Sequence, residues 1–173
     1  MRRFALVLAV ACAAVPGIAQ QNRNPQIDYR GFQRLAAETA PHRETRLVTH
    51  ARFREMARDP RVLILDARSA DAYAAGHIKG AVNLPFTDFT AESLARVIGD
   101  KGRPILIYCN NNFANDRPPV MRKMVQLALN IQTFINLVGY GYNNVRELDE
   151  VVDFTDPKIG WVKGKSPRGN AAA

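Results

Sequence analysis

Cysteine is scarce in this chain: there are two among 173 residues, Cys12 and Cys109, and tryptophan occurs once. A disulfide scaffold is excluded on that count. Acidic residues are also few, 16 against 24 Lys and Arg, for a net charge of +8. The positive residues are dispersed and no basic motif is interleaved with aromatics, so no nucleic-acid partner is expected. His42, His50 and His77 lack ligand spacing, and Cys109 has no second cysteine near it, so no metal site is expected. Beyond residue 19 no apolar run is long enough to span a bilayer. No internal repeat is present. Hydrophobic residues at 47% and charged residues at 23% exclude disorder over the whole length and suit one globular domain with appendages.

The first 19 residues read as a secretory signal peptide. Arg2 and Arg3 form a positive start, Phe4 to Val15 an apolar stretch too short to cross a membrane, and Gly17 and Ala19 small residues before a cut. The mature protein is expected to be exported, periplasmic or secreted, with Cys109 as its one thiol. Residues 20–45 are polar, carry Pro25 and Pro41, and read as an N-terminal arm or linker with a short helix or turn from Asp28 to Ala37. Residues 153–173 read as a C-terminal tail, extended or disordered, with Trp161 as its anchor on the body.

Between these ends, strands alternate with helices. Arg46 to Val48 suits a short strand, and Thr49 caps a helix that stops at Asp59-Pro60. Val62 to Leu65 is a continuous apolar run of the kind buried on both faces of a parallel sheet. A helix from Ala70 to Ala75, a strand from Val82 to Leu84, a helix from Ala91 to Ile98 and a strand from Ile105 to Tyr108 follow. Beyond them the pattern predicts a helix opened by Pro119, with Val120, Met121, Met124, Val125 and Ala128 as its stripe. A buried strand from Phe134 to Leu137 and a closing helix from Val145 to Val152 complete the reading. The alternation implies an α/β fold with a parallel sheet.

Cys109 stands at the carboxyl end of a buried strand and ahead of the polar loop Asn110-Asn111-Asn112-Phe113-Ala114-Asn115-Asp116-Arg117. Ligands of parallel α/β sheets bind at that edge. A loop running into a helix N-terminus turns backbone N–H groups towards an anion, which favours a thiolate, a persulfide or a bound oxyanion. A buried cysteine that only fills space is the plain alternative.

Three elements then carry a resemblance. Asp66-Ala67-Arg68 follows a buried strand, and Gly76-His77-Ile78-Lys79-Gly80-Ala81-Val82-Asn83-Leu84-Pro85 is a long and specific signature. Cys109 falls about 24 residues after that signature. Together they resemble the rhodanese-like domains over residues 46–152. The resemblance implies a three-layer α/β domain, a central parallel sheet flanked by helices. It also implies sulfur transfer without a cofactor. Cys109 would take sulfane sulfur from a thiosulfate-like donor as a persulfide and pass it to a thiophilic acceptor. Asn110, Asn111, Asn112, Phe113, Ala114, Asn115 and Arg117 would bind substrate, a small sulfur-containing anion or thiol. Asp66, Arg68 and His77 would support the site, the first two as a charge-assisted pair.

The chain departs from the family in its loop. Where an arginine usually stands five residues after the cysteine, this chain has Ala114, and Arg117 lies eight residues on. The loop is longer than usual and has no glycine. A wider pocket, and a donor other than thiosulfate, are implied. Arg117 is either the anion clamp or a solvated charge. Two other classes stay open: a non-catalytic binding or regulatory module in the cell envelope, and a thiol redox or arsenate-handling enzyme whose resolving thiol comes from elsewhere. No protein partner is indicated.

Overall fold

The computed structural model describes residues 24–164. The expected signal peptide at 1–19, with Cys12, and the tail from 165 onward lie outside the described residues.

The chain opens on α1 (Tyr29–Glu44), capped by the Asp28 carboxylate, which accepts from Gly31 N–H. This corrects the expectation of a short element: the helix continues to Glu44 with Pro41 inside its last turn. It persists because α1 packs on a later helix and Arg43, near its end, grips Glu147 with two bonds of 2.7 Å. Strand β1 (Leu47–Val48) leads to α2 (His50–Met56), whose N-cap Thr49 accepts from Arg52 N–H. Strand β2 (Leu63–Asp66) is buried at every position. Then come α3 (Ala70–Ala75), β3 (His77–Ile78), β4 (Ala81–Asn83) and α4 (Ala91–Ile98), the last closed at its start by a Thr90–Ser93 capping box. Strand β5 (Ile105–Tyr108) is again buried throughout.

After β5 the structure overturns three expectations. No helix forms over 119–128; the segment is extended, with a single 3-10 turn at Val125–Leu127. Its backbone is bonded by side chains instead. Asn110 Nδ2 donates to Met121 O, Asn111 Nδ2 to Lys123 O, Lys123 N–H to Asn111 Oδ1 and Arg122 N–H to Asp116 Oδ1. Short polar side chains that offer the backbone such partners compete directly with helix. The supposed apolar stripe has no core to face: Val120 is buried, but Met121, Met124 and Val125 are exposed. The expected strand at Phe134–Leu137 is the middle of α5 (Leu129–Gly139). Its buried Asn130, Thr133, Phe134 and Leu137 recur at helical spacing, which the β-branched Ile131, Thr133 and Ile135 disguised. The expected closing helix at 145–152 is the strand β6 (Val145–Leu148), because pairing on both sides outweighs the helical leaning of Arg-Glu-Leu.

Five parallel strands form the sheet in the order β1-β6-β5-β2-β4. Alternate residues serve opposite faces. Leu63, Leu65, Ile105 and Ile107 pack with Leu94 and Ile98 of α4 and Phe134 and Leu137 of α5. Ile64, Leu106 and Tyr108 pack with Phe53 of α2, Phe113 and Ile159. The result is helix, sheet and helix in three layers. A small antiparallel pair, β3 with β7 (Trp161–Val162), brings the chain back across the second face. The first part of the expected tail is therefore a packed element. No helix among the described residues is long and apolar enough to cross a membrane.

Candidate functional site

The connection leaving β2 runs towards β4, while the one leaving β5 runs towards β6, on the other side. The chain thus parts in opposite directions at the carboxyl ends of β2 and β5, and such a switch point opens a crevice. A groove of about 510 Å³ lies there. Ala67 to Ala70 from the end of β2, Pro85 to Asp88 beyond β4, and Asn110, Lys123 and Leu129 line it.

Cys109 closes β5 and is only 1% exposed. Burial pushes its thiol above the ordinary range, and the Glu147 carboxylate adds to the rise. The backbone N–H groups of Asn130, Asn111 and Leu129 face the sulfur and pull the other way. Two of these three belong to the first turn of α5, whose 11 residues make it long enough to present a positive end. A helix N-terminus does meet the cysteine, but it is that of α5, not of a helix at Pro119. The neighbours of Cys109, Asn110 in sequence and Leu129 across the loop, form part of the groove wall. Among the described residues, no three His, Cys, Asp or Glu side chains are grouped to hold a metal.

The expected substrate-binding run is divided among several tasks. Asn110 lines the groove and holds Met121. Asn111 turns its N–H to the sulfur and its amide to Lys123. Asn112 is buried and ties the site together. Its Oδ1 accepts from Cys109 N–H at 2.9 Å and Asn130 Nδ2 at 3.0 Å, and its Nδ2 donates to Leu148 O at 2.7 Å. Phe113 is wholly buried, edge-on to Tyr108 and Trp161. Ala114 N–H donates to Val152 O. Asn115 pairs with Asp153 and Phe154 N–H. Arg117 is exposed and lies over the Phe154 ring at 5.4 Å. From Asn112 onward the loop is thus structural, and this corrects the expectation that it lines the pocket. The helical N–H groups of α5 and the side of the groove contributed by Lys123 and Pro85 to Asp88 were missed. Nothing local in the sequence signalled them, because the approach of α5 and of Lys123 to the end of β5 is set by contacts between residues far apart in the chain.

Beneath the groove sits a buried charge network. Arg68 forks onto Asp66 at 2.6 and 2.9 Å and donates to Gly76 O at 2.8 Å. The Tyr108 hydroxyl donates to Asp66 at 2.5 Å and accepts from Ile78 N–H. Burial and the Asp66 charge hold the Tyr108 proton well beyond the usual phenol range. The Arg68 guanidinium lies over the rings of Tyr108 and Trp161, each at 5.4 Å. His77 is buried, stacks on Tyr73 at 3.7 Å and donates Nδ1–H to Tyr73 O. Trp161 closes over Gly76, where any Cβ would fall 2.2 Å from the indole nitrogen.

The family model of the rhodanese-like domain matches residues 49–150. This chain belongs to the rhodanese-like family. A rhodanese-like domain of Alr3790 from Anabaena, solved by NMR, is 22% identical, covers 74% of this chain and 86% of its own, and has a TM-score of 0.47. The EanB protein bound to hercynine is 27% identical over 59% of this chain and 23% of its own, with a TM-score of 0.43. In Mycobacterium tuberculosis, the HTH-type transcriptional regulator Rv0324 is 38% identical over 61 residues, 35% of this chain. The match spans 26% of that regulator's length.

Proposed function

We propose that this chain is an exported sulfurtransferase that carries sulfane sulfur as a persulfide on Cys109. The observation that carries the reading is the set of N–H groups from Asn111, Leu129 and Asn130 facing the Cys109 sulfur at the end of the central strand. Such a set stabilises negative charge where a persulfide would hold it. In the first half-reaction the Cys109 thiolate attacks the outer sulfur of a thiosulfate-like donor. The S–S bond of the donor breaks and sulfite leaves with its electron pair. In the second, a thiophile such as cyanide attacks the outer sulfur of the persulfide, and the Cys109 thiolate leaves. No step requires a cofactor or an external oxidant. The sequence pattern of residues 1–19 supports export.

A second reading, a binding module without turnover, is favoured by one observation: Cys109 is 1% exposed and its thiol is pushed up by burial. Intact mass decides between the two. The reduced chain is incubated with thiosulfate and then polysulfide, beside Cys109→Ser. A gain of one sulfur atom in the unmutated chain alone, lost on adding cyanide, is the expected result. No gain from either donor, with Cys109 still open to a small alkylating reagent, gives the site to the binding module.

A further inference from the structure

Arg117 does not reach the groove, which leaves open which cation receives an anionic donor. Two cations line the groove, Arg68 and Lys123. Arg68 is 3% exposed and its charge is spent on Asp66. Lys123 is exposed and takes part in none of the ion pairs seen among the described residues. Its backbone is fixed from both sides by one residue: Asn111 donates to its carbonyl at 2.9 Å and accepts its N–H at 3.0 Å. The same Asn111 presents its own N–H to the Cys109 sulfur. One side chain thus sets the register between the cysteine and a lysine 14 positions later in the chain. The neighbouring Arg122 is committed to Asp116 at 3.0 Å, so the clamp places the unpaired cation, and not the paired one, at the groove. The groove's own carboxylate, Asp88, sits with Thr87 beyond β4 and accepts from its hydroxyl.

We propose that Lys123 is the anion seat of the Cys109 site, taking the charged end of a sulfur donor that enters the groove, with Asn111 as the residue that positions it. The proposal rests on the sulfur-carrier reading for its biological meaning but not for its test. Charge selection follows from one unpaired cation in a concave groove, on the side of Asn110 and Leu129, with the groove's carboxylate, Asp88, on the wall beyond β4.

The test uses the full chain with Cys12→Ser, so that Cys109 is the thiol followed. Three methanethiosulfonates of similar size, bearing a sulfonate, an uncharged alkyl group or a trimethylammonium, are reacted with it and the rates read by intact mass. In each reaction the Cys109 thiolate attacks the sulfenyl sulfur, the S–S bond breaks and methanesulfinate leaves with the electron pair. The ratio of the anionic to the cationic rate cancels the thiol's own basicity. We expect Lys123→Gln to lower that ratio about tenfold, Lys123→Arg to restore it and Arg122→Gln to leave it unchanged. An unaltered ratio in Lys123→Gln overturns the proposal, as does an equal fall in Arg122→Gln or a folded chain that no reagent enters. Thiosulfate loading is scored separately on the same proteins. A Lys123-dependent ratio without sulfur uptake would remove the sulfur-carrier reading and leave the anion seat standing.

Discussion

The two sides of Cys109 are built on opposite plans. Below it, Asp66, Arg68 and Tyr108 are all buried to 3% exposure or less, and every charge is answered inside the protein. Above it, the segment from Asn110 to Leu129 has little core of its own, and Met121, Met124, Val125 and Leu127 stand in solvent. What orders that segment is amide side chains bonding main chain, through Asn110, Asn111 and Asn112. A buried ion pair has to be complete, because a lone charge in a dry interior is costly. An exposed strap has no such constraint and can leave a cation, Lys123, available. Rigidity and charge availability are thus divided between floor and roof.

The contrast can be broken most severely from below. Arg68→Met strands the Asp66 carboxylate among Tyr108 and the apolar strands, and unfolding in urea is expected to show a loss of about 3–5 kcal/mol. A loss under 1 kcal/mol would mean that Asp66 takes up a proton or water at little cost. Floor and roof would then no longer differ in how they hold charge.

From above, the effects should be smaller and graded by burial. Asn112→Ala removes the acceptor of Cys109 N–H and the donors to Leu148 and Glu150 from a buried place. It is expected to cost about 1–3 kcal/mol in the same urea experiment. Asn111→Ala loses two bonds at a half-exposed position and should cost about 1 kcal/mol or less. It should, however, lower the charge selectivity of Cys109 as Lys123→Gln does. Equal destabilisation by the two variants would show that the strap is held by something other than these amides.

The smallest effect concerns pH. Burial raises the Cys109 thiol above its ordinary value. In the folded chain the alkylation rate should therefore keep rising with pH beyond the point where an exposed thiol has levelled off. The sign for stability is the reverse. An unfolded chain loses the thiol proton first, so the contribution of the neutral buried thiol is complete below the ordinary thiol value and is lost as pH climbs through the raised one. A rate that levels at or below the ordinary value would show the Asn111, Leu129 and Asn130 N–H groups outweighing burial. That result would move Cys109 from the plan of the floor to that of the roof.

What could be read in the chain divides at Cys109. The strands at 63–66 and 105–108 announce themselves through the apolar runs Val62 to Leu65 and Ile105 to Tyr108, and Thr49 and Thr90 announce the helices after them. Gly76 to Pro85 announces the family. Each of these signals is local, a matter of hydrophobic continuity, a cap or a fixed turn. The 119–128 segment misled because its apolar residues have helical spacing but nothing to pack on. The β6 strand misled because Val-Arg-Glu-Leu leans to helix until β5 and β1 pair with it. Local pattern thus accounts for the sheet's central strands, the family and the cysteine at the strand end. Long-range packing settles which helix meets that cysteine, that Arg117 turns away, and that Lys123 comes to the groove. Those three outcomes depend on contacts between residues far apart in the chain, and no local pattern encodes the partner of a side-chain amide.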